Sequence, residues 1–173
     1  AFYFARVAVR AERGGMTSPR HADPKAASRP SIPVAGPVLF FDGECGLCHR
    51  LVRLLLRLDH GARLRFAPLQ GAAAQGYLRA HGLPTVDFDT LIFVPEWNER
   101  ERPNYLLRTS GVIAALRVVG GGTARILAGF IAVFPAPLRD AGYRTVGRWR
   151  YRVFGPWQPR PLPRAEWASR FLQ

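Results

Sequence analysis

The chain has 173 residues, 48% of them apolar, which suits one domain with a tail and leaves two full domains cramped. A net charge of +13 favours an anionic partner, yet nearly every basic residue is arginine and no run of five like charges occurs. This spread indicates a solvated surface and weighs against a nucleic-acid-binding patch. No apolar stretch approaches the ~18 to 20 residues that cross a bilayer, so we expect no membrane span.

Residues 1–36 are rich in proline, serine, arginine and alanine without a hydrophobic period, which predicts a disordered basic tail. Met16 is the only methionine, which allows residues 1–15 to lie upstream of the true start. The folded domain is expected to span residues 37–173. No secretory signal is recognisable and the chain has only two cysteines, so we expect a cytoplasmic protein in reducing surroundings.

Four strands and five helices are predicted after this tail. The run at 38–41 is continuously apolar, as in a strand buried on both faces, and Asp42-Gly43 stops it. Apolar residues then recur at helical spacing from Leu47 to about residue 60. The later predicted elements are a strand at 64–67, a helix at 72–81, strands at 90–94 and 105–107, and helices at 110–119, 123–134 and 137–154. Ser110 is expected to cap the third helix, and the glycines at 120–122 are expected to end it.

The order strand, helix, strand, helix, strand, strand, helix predicts the fold class. A right-handed parallel crossover followed by an antiparallel hairpin gives an α/β domain with thioredoxin-like (β-α-β-α-β-β-α) order. The last two helices are then a C-terminal helical extension that packs on the core.

Two cysteines, Cys45 and Cys48, stand three apart where the first strand gives way to the first helix. Backbone N–H groups and the dipole at a helix N-terminus stabilise an anion, so the Cys45 thiol should ionise readily. Helical geometry sets the two Cα atoms roughly 5 Å apart, within the range of a disulfide. We therefore expect Cys45 to be an exposed attacking thiolate and Cys48 to be a resolving thiol one turn deeper.

Asp42, which lies just before this pair, has two open roles. Its carboxylate can accept N–H bonds as a helix cap, or it can act as a buried proton acceptor for Cys48. A carboxylate close to Cys45 would oppose thiolate formation, so the catalytic role requires that Asp42 face Cys48.

Three other interpretations of the cysteine pair are open. The segment 45–49 matches the c-type haem attachment pattern, but the only methionine for an axial ligand lies in the tail. Zinc bound by both cysteines and two of His49, His60 and His81 lacks the usual close spacing of paired histidines. The third interpretation is a pair of buried, inert core cysteines. We expect neither a metal nor an organic cofactor.

The residues from Val38 to Cys48 resemble the opening of the DCC-type thiol/disulfide oxidoreductases, in which Asp42, Cys45 and Cys48 match the Asp-x-x-Cys-x-x-Cys motif. The similarity covers about residues 37–173 and continues through the segments 63–70, 89–91, 105–110, 137–140 and 150–155. It implies a thioredoxin-like fold and chemistry of the protein-disulfide-reductase type.

The chain departs from its relatives in two places. Many DCC proteins carry a further cysteine near the C-terminus, where this chain has none in residues 156–160. Thioredoxins place a cis-proline before the third strand, where this chain has Asp89. The candidates for binding substrate or another protein are therefore Arg108, Ser110, Arg150 and Arg152. The alternatives are a helix cap at Ser110 and surface charge at the arginines.

The first functional hypothesis is a thiol-disulfide oxidoreductase acting on a disulfide-containing protein or a small disulfide, with an unidentified reductant. The second is a basic binding module with a structural or metal-binding cysteine pair, in which four arginines meet an acidic partner: Arg150, Arg152, Arg160 and Arg164. A redox sensor, in which oxidation of the pair alters a partner interaction, is the third.

Overall fold

The computed structural model describes residues 35–155 and 164–172. The predicted disordered tail, residues 1–36, lies outside this part of the chain except for its last two residues. The described residues form an α/β fold of the thioredoxin-like type, with one four-stranded sheet.

The sheet contains β1 (Val38–Phe41), β2 (Arg65–Pro68), β3 (Ile92–Val94) and β4 (Leu106–Leu107) in the order β2-β1-β3-β4. β1 pairs in parallel with β2, and the right-handed connection expected there contains helix α1 (Gly46–Leu58). β3 pairs antiparallel with both β1 and β4. The predicted order of elements, crossover and hairpin are therefore confirmed.

β1 is buried at all four positions because helices cover both faces of the sheet. Leu39 and Phe41 pack with α1 and the later helices, whereas Val38 and Phe40 pack on the other face with α2 (Ala72–Ala80). This double burial explains why the strand reads as a continuous apolar run.

Three helices follow β4, namely α3 (Arg108–Val119), α4 (Gly121–Val133) and α5 (Ala136–Phe154). The prediction of a Ser110 cap is wrong: α3 begins two residues earlier, directly after β4, and Leu107 is its N-cap without a side-chain bond. Gly120, at φ +73°, ends α3, but the next two glycines belong to α4. α4 packs on α3, and α5 packs on α1 and α3.

Within the described residues, no single helix is long and apolar enough to cross a bilayer. α4 and α5 pass that length and composition test only as a pair, and the chain bends by 106° between them.

A buried ion pair attaches the end of the described chain to the sheet. A short helix of the 3-10 type, Ala165–Arg170, carries Arg170, whose guanidinium binds the Asp59 carboxylate. The same carboxylate accepts the Leu64 backbone N–H at 2.8 Å, and Leu172 donates its N–H to the Phe66 carbonyl of β2. Both charged side chains are more than nine-tenths buried, so each depends on the other for its counter-charge.

Replacing Arg170 with alanine should lower the free energy of unfolding by about 3 to 5 kcal/mol, because it leaves the buried Asp59 carboxylate without its counter-charge. Urea unfolding followed by circular dichroism measures this loss. The control is Arg102→Ala, which breaks an exposed ion pair with Glu99 and should cost less than about 1 kcal/mol. Equal losses in the two variants would show that the Arg170 pair does not anchor the chain.

Candidate functional site

Cys45 and Cys48 lie where β1 ends and α1 begins. Cys45 is the N-cap residue of α1, and its backbone N–H donates to the Asp42 carbonyl at 3.3 Å. Cys48 lies one helical turn further on, and both cysteines are unbridged. The predicted position of the pair at a helix N-terminus is therefore the observed one.

The two thiols differ in acidity because one donates a hydrogen bond to the other. The Cys48 thiol donates to the Cys45 sulfur, and this bond lowers the pKa of Cys45 to about 6 against an opposing effect of burial. The backbone N–H groups of Cys48 and Leu47 and the positive charge of Arg150 act in the same direction. The same hydrogen bond, together with burial and the nearby Cys45 charge, raises the pKa of Cys48. Cys45 is therefore the more acidic thiol of the pair.

Asp42 is 2% exposed, and four donors surround its carboxylate. One oxygen accepts the Glu44 N–H at 3.0 Å and the side-chain amide of Gln70 at 2.9 Å. The other accepts Arg150 Nη2 at 3.1 Å and the hydroxyl of Tyr151. Its bond to Glu44 closes the turn ahead of α1, so Asp42 is not the N-cap of this helix.

The end of α5 covers the start of α1. The N–H of Gly46 donates to the Gly155 carbonyl at 3.4 Å, and a Cβ placed on Gly46 would lie 2.7 Å from the Phe154 carbonyl oxygen. Arg150 and Tyr151, in the same stretch of α5, hold Asp42. The expectation of an exposed Cys45 is therefore wrong: its exposed fraction is 0%, against 8% for Cys48. The sequence placed Cys45 at a helix tip but did not reveal what packs there.

Only one of the four predicted substrate-binding residues reaches this site. Arg150 does, whereas Arg108 starts α3 at φ +51° and lies 3.9 Å from the Asp89 carboxylate. Ser110 belongs to α3 and lines a different cleft, beside Phe93. The Arg152 guanidinium is stacked over the Trp149 ring, 5.4 Å from its centroid.

The segment before β3 also meets α5. Arg150 Nη2 donates to the Phe88 carbonyl, which lies in the segment that leads into β3. In the same segment, Thr90 accepts the Arg108 N–H at 3.1 Å, and Leu91 donates its N–H to the Tyr143 hydroxyl at 3.0 Å. Arg150 thus links Asp42, which precedes the cysteine pair, to the segment that leads into β3.

Sequence reasoning missed three residues of the site, namely Gln70, Tyr143 and Tyr151. Burial, the hydrogen bond to Asp42 and the Asp42 charge raise the pKa of Tyr151 to about 12, so the phenol stays protonated and donates. Burial and the charge of Cys48 raise the pKa of Tyr143 to about 12. Gln70 and Tyr151 lie in segments that carry the family resemblance, which was the one available signal.

Among the described residues, the histidines do not complete a metal site with the cysteines. His49 Nε2 lies 2.8 Å from the Gly43 carbonyl, and His81 Nε2 contacts the Arg100 carbonyl at 2.6 Å. In the part of the chain that the structure describes, no three side chains of histidine, cysteine, aspartate or glutamate converge. The zinc interpretation therefore lacks a ligand set there.

A cleft of about 400 Å³ opens beside Asp42 and Tyr151. Its other walls are Gln70, Gln75 and residues 85–88, together with Glu44 from the cysteine turn. Tyr151 and Asp42 line this cleft and neither cysteine does, so a substrate here would contact the end of α5 rather than Cys45.

Comparisons with known proteins agree with this geometry. The family model for DCC1-like thiol-disulfide oxidoreductases matches residues 39–156. A protein of Bacillus subtilis (strain 168) described as uncharacterized protein YuxK is 33% identical over 135 residues, which cover 78% of this chain and 93% of that protein. The Arabidopsis thaliana protein described as DCC family protein At1g52590, chloroplastic, is 27% identical over 119 residues, which cover 69% of this chain and 65% of the plant protein. No solved structure gave a significant match.

An α/β domain of the thioredoxin-like type with two cysteines three residues apart at the start of a helix is typical of thiol-disulfide exchange proteins. The chain belongs to the DCC1-like thiol-disulfide oxidoreductase family.

The ultraviolet absorbance of the thiolate should titrate in the reduced protein with a midpoint near pH 6, the pKa of Cys45. Cys48→Ala removes the donated hydrogen bond and should move this midpoint up by about one pH unit or more. Cys45→Ala is the control and should show no titration near pH 6.

The lowered pKa of Cys45 also fixes the pH dependence of stability. Between about pH 6 and its ordinary pKa of 9.0, the unfolded chain binds more protons, so the free energy of unfolding of the reduced protein should rise with pH. Urea unfolding across this range measures the slope. A slope unchanged in Cys45→Ala would contradict the assignment.

Gly46→Ala should push the end of α5 away, because the new Cβ would meet the Phe154 carbonyl oxygen. Both variants carry Cys48→Ser, so that Cys45 is the one thiol of the pair. We expect Cys45 to react with iodoacetamide on the order of tenfold faster than without Gly46→Ala, because the loss of contacts between α5 and α1 favours a form in which the end of α5 has moved away. Gly76→Ala in α2 is the matched control, because nothing lies within 4 Å of its added Cβ. If both variants react like the parent, the end of α5 does not limit access to Cys45.

Proposed function

We propose that this protein is a thiol-disulfide oxidoreductase of the protein-disulfide-reductase type, with Cys45 as nucleophile and Cys48 as resolving thiol. The observation that carries the proposal is the placement of both thiols at the start of α1, with Cys45 as its N-cap and Cys48 one turn further on. The hydrogen bond between them lowers the pKa of Cys45 and raises that of Cys48. One thiol therefore ionises more readily while its neighbour keeps a proton, which is the division of roles that exchange requires.

The proposed reaction has two exchange steps and one regeneration. The Cys45 thiolate attacks one sulfur of the substrate disulfide, forms a mixed disulfide and releases the other sulfur as a thiolate, which takes up a proton. Cys48 then gives up its proton and attacks Cys45, so the second substrate thiol leaves and a Cys45–Cys48 disulfide forms. The substrate gains two electrons and the protein loses two, which an external dithiol must restore.

Arg150 and Asp42 are positioning residues in this proposal. The Arg150 charge favours the anionic form of both cysteines, although the pKa of Cys48 is raised overall, and Asp42 binds the guanidinium at 3.1 Å. The Asp42 carboxylate is occupied by four donors, so we assign it this orienting role before that of a base for Cys48. The Asp42 backbone N–H, which hydrogen-bonds Cys48, further favours the anionic form of Cys48 that the second step needs.

Access to Cys45 requires the last turn of α5 to move. Gly155 contacts Gly46 through a single backbone hydrogen bond, and Tyr151 is 44% exposed at the edge of the cleft beside Asp42. A disulfide that enters this cleft would approach Cys45 once that turn has shifted. We propose a small disulfide or an extended loop of a protein as substrate, because either fits a cleft of this size.

The buried state of Cys45 supports a redox sensor as the second candidate. Formation of a Cys45–Cys48 disulfide would remove the thiolate that Arg150 faces and would thereby weaken the hold of α5 on the cysteine turn. The basic-module hypothesis loses one of its arginines, because Arg150 is 6% exposed and bound to Asp42. Of the others, Arg160 lies outside the described residues.

We also propose that the protein works in a reducing compartment. Cytoplasmic or similar reducing conditions would keep both thiols reduced between turnovers and would supply the dithiol reductant.

Cys45→Ser should lower the rate at which the protein reduces the disulfide of mercaptoethanol, a neutral substrate, by on the order of a hundredfold or more. The reason is that the attacking thiolate is lost. Cys48→Ser should instead trap a mixed disulfide at Cys45, which intact-mass spectrometry detects. Arg108→Gln is the control, and its activity should match that of the parent because Arg108 lies outside the site.

A sensor gives a different result in the same experiment. The parent would then form its internal disulfide reversibly in graded thiol buffers but would not turn over a substrate. If both cysteine variants reduce the disulfide as fast as the parent, the oxidoreductase proposal is wrong. If the parent also forms no Cys45–Cys48 disulfide in the graded thiol buffers, the sensor is wrong too.

A further inference from the structure

The two C-terminal helices present large apolar side chains to solvent. On α4, Ile126, Phe130 and Val133 follow one helical face and are 74%, 66% and 79% exposed. On α5, the exposed residues Val146, Trp149 and Val153 also follow one face. We call the whole set the docking face, and its members are Ile126, Phe130, Val133, Phe134, Leu138, Val146, Trp149 and Val153. Large apolar side chains exposed in this number on two successive helices favour an interaction surface.

A stripe of arginine lies beside the apolar stripe of α5. Arg144, Arg148 and Arg152 stand four residues apart, so they share one face, and all three are exposed. α5 contains five arginines and one acidic residue, Asp140, which accepts the Thr109 hydroxyl. The helix therefore combines exposed apolar side chains with an unbalanced positive charge.

The positive charge beside the apolar side chains helps to decide whether a second copy of the chain or a lipid bilayer covers the docking face. A second copy of the chain would bring two arginine stripes together, each on a protein of net charge +13, and would be repelled. An anionic bilayer offers lipid headgroups to the arginines and an apolar boundary to side chains such as Trp149 and Phe130. The 106° bend between α4 and α5 rules out one straight span and suits helices that lie along a surface.

We propose that this protein docks peripherally on an anionic lipid surface, with the docking face inserted at the interface and the arginine stripe against the headgroups. The proposal is independent of thiol exchange, because none of these residues contacts Cys45 or Asp42.

The test uses the full chain and sedimentation with two kinds of vesicle, pure phosphatidylcholine and phosphatidylcholine with about 30 mol% phosphatidylglycerol. We expect binding to the anionic vesicles only, weakened by salt, with a blue shift of fluorescence that is absent from Trp149→Phe. Ile126→Ser/Phe130→Ser should weaken binding by about tenfold or more, since two apolar anchors are lost. Arg144→Gln/Arg148→Gln should also weaken it, by roughly thirtyfold at low salt, since each of the two basic residues near the surface adds about 1 kcal/mol.

Matched controls are Val86→Ser and Arg79→Gln, which change equally exposed residues outside α4 and α5 and should bind like the parent. Circular dichroism verifies that every variant is folded. Failure of the parent to bind anionic vesicles would overturn the proposal, as would equal losses in the controls. A dimer seen by light scattering and broken by Ile126→Ser/Phe130→Ser, without vesicle binding, would instead assign the face to a second copy.

Discussion

The buried carboxylate of Asp42 is the contact on which the site depends. An ionised carboxylate at 2% exposure is costly unless donors surround it, and its donors come from three parts of the chain. Glu44 belongs to the cysteine turn, Gln70 follows β2, and Arg150 and Tyr151 belong to α5. The C-terminal helix is therefore part of the site, because without it the carboxylate would be buried without a counter-charge.

The same contact links the reactivity of Cys45 to its protection. Arg150 faces Asp42 and favours the anionic form of both cysteines, while the end of α5 that carries it covers the start of α1. A thiolate that is both stabilised and covered is shielded from oxidants and stray disulfides. The contacts between the two helix ends include the Gly46–Gly155 hydrogen bond and the Arg50 guanidinium over the Phe154 ring, so the access to Cys45 proposed above requires these to break.

α5 has different chemistry on its two sides. Tyr143 and Arg150 face the sheet and the cysteines, whereas Trp149, Val153 and the arginine stripe face solvent. Polar residues lie on the buried side of α5, and apolar residues lie on its exposed side. The helix therefore lacks the clear separation of apolar and polar faces that marks a helix packed on a core. The sequence therefore pointed to Arg150 but not to Tyr143 and Tyr151.

The local signals of the sequence determined the order of elements, the buried β1 strand and the position of Cys45 and Cys48 at the start of α1, because each follows from short-range periodicity and turn chemistry. The local sequence wrongly predicted Ser110 as the cap of α3. β4 ends at Leu107, which is itself the N-cap of α3, so no residue lies between the strand and the helix. Only the tertiary structure decided that Cys45 is covered, that Asp42 binds α5 and that Arg150 leaves the surface. The reason is physical: Asp42 and Arg150 stand 108 residues apart, and no local pattern specifies which distant donor will pair with a buried charge.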